Sequence, residues 1–336
     1  MVHRLSRAAR CLAPITVVAV LLVPFRCLAQ PQANQSMKIG IIGLDTSHVI
    51  EFVKALSDPT NKDYLPGFRV VAAYKGGSPD VESSWSRVDR YTAELRDHWN
   101  VEIVNDIPTL CAKVDAVLLE SVDGRRHLEQ VKPVFAAHKS VFIDKPLAGS
   151  YKDAKEIFDL GKAAGVPWFT ASSLRFWSEV ERLKAPEGIG RILTYDVLGP
   201  SIREPHVPFL FWYGVHAVEM LYQLMGPQCE SVTMQTSGNE DVVVGKWRDG
   251  RLGVVRGFSS GLYAFSVTAY GDKGVLHSQG KASGYGSLVA QIGTFFKTGI
   301  PPINPEESLE VIAFMEAATL SKGRSGVAVP LSEIMR

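Results

Sequence analysis

From Met37 onward the chain alternates short apolar runs with amphipathic stretches. The runs Lys38–Gly43, Phe68–Tyr74, Val101–Val104, Ala116–Glu120 and Ser140–Ile143 predict strands. Their apolar residues are nearly continuous, as in strands covered on both faces. Between them, apolar positions at helical spacing predict helices over Ser47–Leu56, Trp85–Trp99, Ile107–Ala112 and Arg126–Ala137. Strand and helix in alternation imply βαβ units and a parallel sheet. A helix over Tyr151–Ala164 and a strand over Pro167–Ala171 continue that rhythm. Beyond them it changes. Arg191–Leu198, Ser231–Thr236, Val242–Trp247, Leu252–Phe258 and Tyr263–Tyr270 alternate apolar and polar positions, and Arg248-Asp249-Gly250 is turn chemistry between two of them. That pattern predicts antiparallel strands with one buried face. A helix over Val215–Met225 interrupts them, Ser283–Lys297 and Pro305–Ser321 predict closing helices, and Gly326–Val329 a last strand. The expected fold class is α/β, with a parallel-sheet domain over residues 37–148 and a second α/β domain over 149–336 with an open, mostly antiparallel sheet.

The first strand runs into Gly43-Leu44-Asp45-Thr46-Ser47-His48 and then a helix. A Rossmann dinucleotide turn at this place reads G-x-G-x-x-G, and this one reads G-x-D-x-x-H. Residues 37–148 are therefore read as a Rossmann-type nucleotide-binding domain with an altered turn. Asp45, Thr46 and Ser47 are good helix caps and Glu51 falls in the first turn, so the segment reads as a self-capped helix start. Asp45 would then stand where a phosphate goes, repelling it by roughly 4 kcal/mol at about 4 Å with an effective dielectric near 20. His48 replaces the glycine that allows close helix–strand packing.

Arg4, Arg7 and Arg10 precede an apolar run from Cys11 to Phe25, and Cys27-Leu28-Ala29 offers small residues for cleavage. Residues 1–29 therefore read as a signal peptide, residues 30–36 as a polar linker, and the protein as exported, periplasmic or secreted. The apolar run is short and broken by Pro14 and Pro24, so no stable membrane span is expected after processing. The leader holds four arginines and no acid; the remainder has 32 basic against 35 acidic side chains, a net charge of −3. That balance gives no electrostatic reason to expect nucleic acid or an anionic membrane as partner, and no nucleic-acid partner is expected. Two cysteines remain, Cys111 and Cys229, expected as buried, unbridged thiols.

Several short segments fall in an informative order: Lys38-Ile-Gly-Ile-Ile-Gly43, Val114-Asp-Ala-Val-Leu-Leu119, His127, Val141-Phe-Ile-Asp-Lys-Pro-Leu147, Gly214-Val-His-Ala-Val-Glu219, and Gly271-Asp-Lys-Gly-Val-Leu276. In this the chain resembles the Gfo/Idh/MocA family, the glucose-fructose oxidoreductase and inositol dehydrogenase group. The resemblance implies a Rossmann domain, a substrate domain with an open sheet, sugar or cyclitol substrates, and NAD or NADP. The family's catalytic lysine lies in Glu-Lys-Pro; Asp144-Lys145-Pro146 matches it with a shorter acid. Its second element reads Asp-x-Gly-x-His; Trp212-Tyr213-Gly214-Val215-His216 keeps the histidine and replaces the acid by tryptophan. Where the family has an acid for the adenosine ribose, this chain has Tyr74-Lys75-Gly76. Lys75 suits a 2′-phosphate, or equally a solvated loop charge.

The catalytic candidates are Lys145, which follows a buried strand and would orient a hydroxyl, and His216, a base at a helix start. Trp212, Tyr213 and Trp177 would form an aromatic sugar platform, or simply core. Arg175 and His206 are candidates for the cleft. Gly43, Asp45, His48, Lys75 and Lys145 are the cofactor-side positions. Asp45 and His48 with His206 or His216 could ligate a metal, but nothing in the spacing requires one and no metal is assigned.

Two readings stay open. One is an exported oxidoreductase acting on a sugar or cyclitol hydroxyl with NAD(P). The other is a non-redox carbohydrate lyase, epimerase or hydrolase, or a carbohydrate-binding protein, that has lost ordinary NAD(P) binding. The alternating strands leave a sheet face that would suit a homo-oligomer. If the leader reading holds, N-terminal sequencing of the exported protein begins at Gln30; a chain that keeps Met1 overturns it.

Overall fold

Two sheets organise the computed structural model, which describes Met1, residues 36–282 and residues 284–336. Apart from Met1, the leader expected over 1–29 and the linker up to residue 35 lie outside the described residues. The first sheet is built from β1 (Met37–Ile42), α1 (His48–Ser57), β2 (Phe68–Tyr74), α2 (Glu82–Trp99), β3 (Glu102–Val104), α3 (Ile107–Lys113), β4 (Ala116–Leu119), α4 (His127–Ala136), β5 (Ser140–Asp144), α5 (Tyr151–Ala164) and β6 (Trp168–Ala171). Its six strands run in the order β3-β2-β1-β4-β5-β6 and pair in parallel throughout. The order reverses between β1 and β4, and a crevice at such a reversal is where α/β sheets take ligands. The sheet continues past residue 148, because β6 pairs with β5.

After β6 come α6 (Ser178–Lys184), β7 (Ile192–Pro200), α7 (Val215–Met225), β8 (Cys229–Ser237), β9 (Glu240–Trp247), β10 (Leu252–Phe258), β11 (Ser266–Gly271), β12 (Gly274–His277), α8 (Gly286–Thr298), α9 (Pro305–Gly323), β13 (Val329–Pro330) and α10 (Leu331–Ile334). The second sheet has seven strands in the order β12-β11-β7-β10-β9-β8-β13. It is mixed: β7 and β10 pair in parallel and the remaining pairs are antiparallel. The short elements α6, β12 and α10 lack a sustained apolar period, which is why the pattern did not show them.

Alternate residues along the first sheet enter two cores, as strand geometry requires. Ile39, Ile41, Leu118 and Phe142 lie on one side; Ile42, Val117, Leu119 and Ile143 lie on the other. The first core is closed by α8, whose Leu288, Ile292 and Phe295 join Phe52, Phe142 and Phe169. One of the helices read as closing the second domain thus returns to cover the first sheet. The second core runs from α3, α4 and α5 without interruption into α7, α9 and the second sheet. Cys111 and Cys229 are buried and free, and burial pushes their thiols up to about 11 and about 12. Among the described residues, no helix is long and apolar enough to cross a membrane.

Gly43 joins β1 to the loop after β4. Its φ is +86°, and a Cβ there would lie 2.4 Å from the amide nitrogen of Ser121. Gly43→Ala should therefore cost roughly 3 kcal/mol from left-handed strain and overpacking, read as a fall in the urea midpoint. An unchanged midpoint would show that the loop yields freely.

Candidate active site

The carboxyl ends of β1, β4, β5 and β6 converge on a crevice of about 400 Å³. Thr46, Ser47 and His48 line it from the start of α1, Ser83 and Arg87 from α2, and Lys145 from the end of β5. Trp212, Tyr213 and His216 line it from the start of α7, with Tyr263, Phe265 and Tyr285 opposite. The rings form two groups: Tyr213 lies 6.0 Å from Tyr263 and Phe265 5.9 Å from His216, while Tyr285 lies 4.8 Å from His48, centroid to centroid. These separations are those of favourable aromatic pairs.

At the floor lies a buried group of charges. His48 Nδ1 is 2.8 Å from Asp144 Oδ2 and 3.9 Å from Glu120 Oε2, and Lys145 Nζ is 3.7 Å from Asp144 Oδ2. Glu120 and Asp144 are both buried. Burial pushes the Asp144 carboxyl up, but His48 and Lys145 together outweigh it and hold the group below the usual carboxylate range. Burial and the neighbouring charge of Asp144 push Glu120 well above its ordinary value of 4.5. His216 Nδ1 is hydrogen-bonded to Ser172 Oγ at 2.7 Å. Burial, then the charge of Lys145, holds this imidazole well below 6.5, so it is neutral at neutral pH.

Asp45 does not cap α1 and does not face the crevice. The position before α1 is Ser47, whose side chain makes no cap hydrogen bond. Asp45 is fully buried and accepts from Ser84 Oγ at 2.6 Å and from the Val122 amide at 3.0 Å. Burial raises its pKa. Of the three expected caps, Thr46 accepts from the His48 amide at 3.4 Å, whereas Asp45 bridges α2 and the loop after β4. The expected repulsion of a phosphate also loses its basis, because the carboxylate points inward and its partners satisfy it.

Residues 37–172 match the family model described as an oxidoreductase family with an NAD-binding Rossmann fold, GFO_IDH_MocA. Over those residues the chain is similar to the Gfo/Idh/MocA family. A curated relative, the myo-inositol 2-dehydrogenase of Thermotoga maritima, is 30% identical over 185 residues, 48% of this chain. The match spans about half of that relative's length (55%). Among solved structures, the scyllo-inositol dehydrogenase of Lactobacillus casei with NAD(H) and scyllo-inositol bound has a TM-score of 0.72 at 14% identity, over 88% of this chain and 99% of that one. The myo-inositol dehydrogenase of the same organism, with NAD(H) and myo-inositol, has a TM-score of 0.69 at 17% identity, over 88% and 96%. At these identities the structural likeness shows the fold.

A family of this kind implies a nicotinamide dinucleotide, and the residues present fit its two ends unequally. Thr46 and Ser47 present the start of α1 to the crevice, which Arg87 also lines, and this suits a pyrophosphate. The inner end opens to Lys145 and His216. The groove over Gly43 is closed. The Leu44 amide donates to the Lys75 carbonyl at 2.8 Å, and a Cβ on Gly76 would lie 3.0 Å from the Gly43 Cα. Asp45 ties Ser84 to Val122, Ser78 Oγ donates to Asp123, and Arg125 pairs with both Asp123 and Asp80 across the same gap. The crevice itself reaches Ser83 and Arg87 on α2.

Four residues read from sequence as site candidates stand elsewhere. Arg175 is 2% exposed and pairs with Glu219 and Glu307, each at 2.6 Å, tying the segment after β6 to α7 and α9. Trp177 is buried in the main core. His206 is an exposed loop residue 3.8 Å from Glu204. Lys75 pairs with Asp89 on α2 at the surface, so the solvated charge describes it better than a phosphate ligand. Glu120, Arg87, Tyr263, Phe265 and Tyr285 were not singled out as site residues from sequence; they come from four separate segments and no local spacing announces them. Arg175→Ala strands the buried Glu219 and the partly buried Glu307, so we expect a loss of about 3 kcal/mol in denaturant stability. Dinucleotide affinity of the folded fraction should not change; a selective loss of affinity would return Arg175 to the site.

Proposed function

We propose that the chain is an NAD(P)-linked oxidoreductase acting on a hydroxyl of a sugar or cyclitol. The observation that carries this reading is that Lys145 and His216 share one aromatic-walled crevice, although 71 positions apart in sequence. The family-model match, the inositol dehydrogenase relative and the inositol-bound neighbours support the substrate class. Thr46, Ser47 and Arg87 would hold the pyrophosphate. NAD(P), when bound, supplies the hydride acceptor.

The rest of the chemistry belongs to side chains of this chain. The Lys145 ammonium donates to the reacting oxygen and orients it. His216 is neutral; with its Nδ1 proton given to Ser172 Oγ, Nε2 takes the hydroxyl proton. Trp212 and Tyr213 present ring faces to the apolar C–H edge of a saturated ring, and the aromatic wall excludes water. With residues 1–29 read as a leader, this chemistry would take place outside the cytoplasm.

Calorimetric titration with NAD and with NADP, followed by an absorbance assay over a panel of cyclitols and aldoses, tests the reading. We expect one dinucleotide to bind and a polyol to be oxidised. Lys145→Ala and His216→Ala should each lower kcat by roughly 100-fold or more. Failure of both dinucleotides to bind overturns the proposal.

The pH profile adds a second check. Protonation of His216 is opposed by burial and by Lys145, so its base form persists well below 6.5. The rate should stay level as pH falls through 6.5 and drop only in more acid solution. A midpoint at 6.5 would mean that the base is a solvated histidine.

A further inference from the structure

Most polar groups inside this protein have partners, but the floor of the crevice does not follow that rule. Both carboxylate oxygens of Glu120, both of Asp144 and Nδ1 of His48 are buried without a hydrogen bond. The contact between His48 and Asp144 is short at 2.8 Å yet lacks hydrogen-bond geometry. Two carboxylates on adjacent strands β4 and β5 are fully enclosed, and Lys145 is the one ammonium beside them, 3.7 Å from Asp144. Buried carboxylate oxygens in native proteins are nearly always satisfied, so four orphans in one place indicate a missing partner.

We infer that His48, Glu120 and Asp144 form a binding site for a divalent transition cation such as zinc or manganese. Ligand atoms of the three residues lie within 4.8 Å of one another. Ligands at about 2.1 Å from an ion and at right angles to each other stand roughly 3 Å apart, and the His48–Asp144 pair already has that spacing. One imidazole with two carboxylates is a donor set for zinc, manganese or iron rather than for calcium, which prefers oxygen alone. Lys145 opposes a cation, but two carboxylates outnumber its single charge. His48 lines the crevice, so a bound ion keeps coordination positions open on that side for water or a substrate oxygen. The site arises because histidine replaces the third glycine of the turn and the acid before Lys145 is aspartate. A role in ligating a sugar or cyclitol oxygen rests on the function proposed above, whereas the site itself does not.

The test uses the chelator-treated protein, titrated calorimetrically with zinc and with manganese without dinucleotide or substrate. We expect one equivalent per chain of at least one cation, with a rise in the thermal midpoint. His48→Ala, at the crevice edge, and Glu120→Gln, which keeps the side-chain volume, should each weaken uptake by about 100-fold. Circular dichroism confirms that each variant is folded. No stoichiometric uptake by the wild-type chain overturns the inference, as does uptake that both variants retain. Because NAD(P) binding is measured separately, metal uptake without dinucleotide binding removes only the proposed function, and the reverse removes only the metal site.

Discussion

The buried carboxylate of Asp45 sets the geometry of everything at the crevice. It is held by one hydroxyl and one amide, on opposite sides of the turn that follows β1. A buried carboxylate without such partners would cost several kcal/mol, so the bridge and the burial require each other. The bridge joins α2 to the loop after β4. It closes the groove over Gly43 and leaves the crevice to run along the start of α1 toward Lys145 and His216.

The bridge also fixes where charge can gather. With Asp45 turned inward, His48 becomes the residue at the start of α1 that meets the end of β5. Its ring meets Asp144 and, one strand over, Glu120. Lys145 follows Asp144 directly and stands on the same floor. Four ionisable side chains from three segments thus share a space without bulk water, where electrostatic terms are strong and unsatisfied groups are costly. His216 enters from the far wall already neutral, for the same reason of burial. The proposed proton transfer and the inferred cation site both follow from this concentration of charge under an aromatic roof.

Much of the framework was legible along the chain. β2, α5, α7 and β10 fall on the residues their periodicity predicts, because each buries one continuous apolar stripe or run. Lys145 and His216 were legible because each follows a recognisable segment at an element boundary. Arg175 and His206 stand outside the expected cleft, and Trp177 and Lys75 take the core and solvated-charge alternatives, for a common reason. A polar or aromatic residue near a strand end looks the same in sequence whether it faces the cleft, the core or solvent. For Arg175 the outcome was decided by two acids 44 and 132 positions away.

The sequence by itself determined the α/β framework, the order of its elements and the presence of an altered turn, since these rest on local periodicity and on residue types at known offsets. Tertiary structure alone decided what the altered turn does. The partners of Asp45 are 39 and 77 residues distant. The neighbours of His48 come from the ends of two other strands, and α8 returns from far along the chain to complete the first core. Such meetings depend on sheet order and on which way a buried side chain turns to satisfy its charge. Local spacing does not encode either.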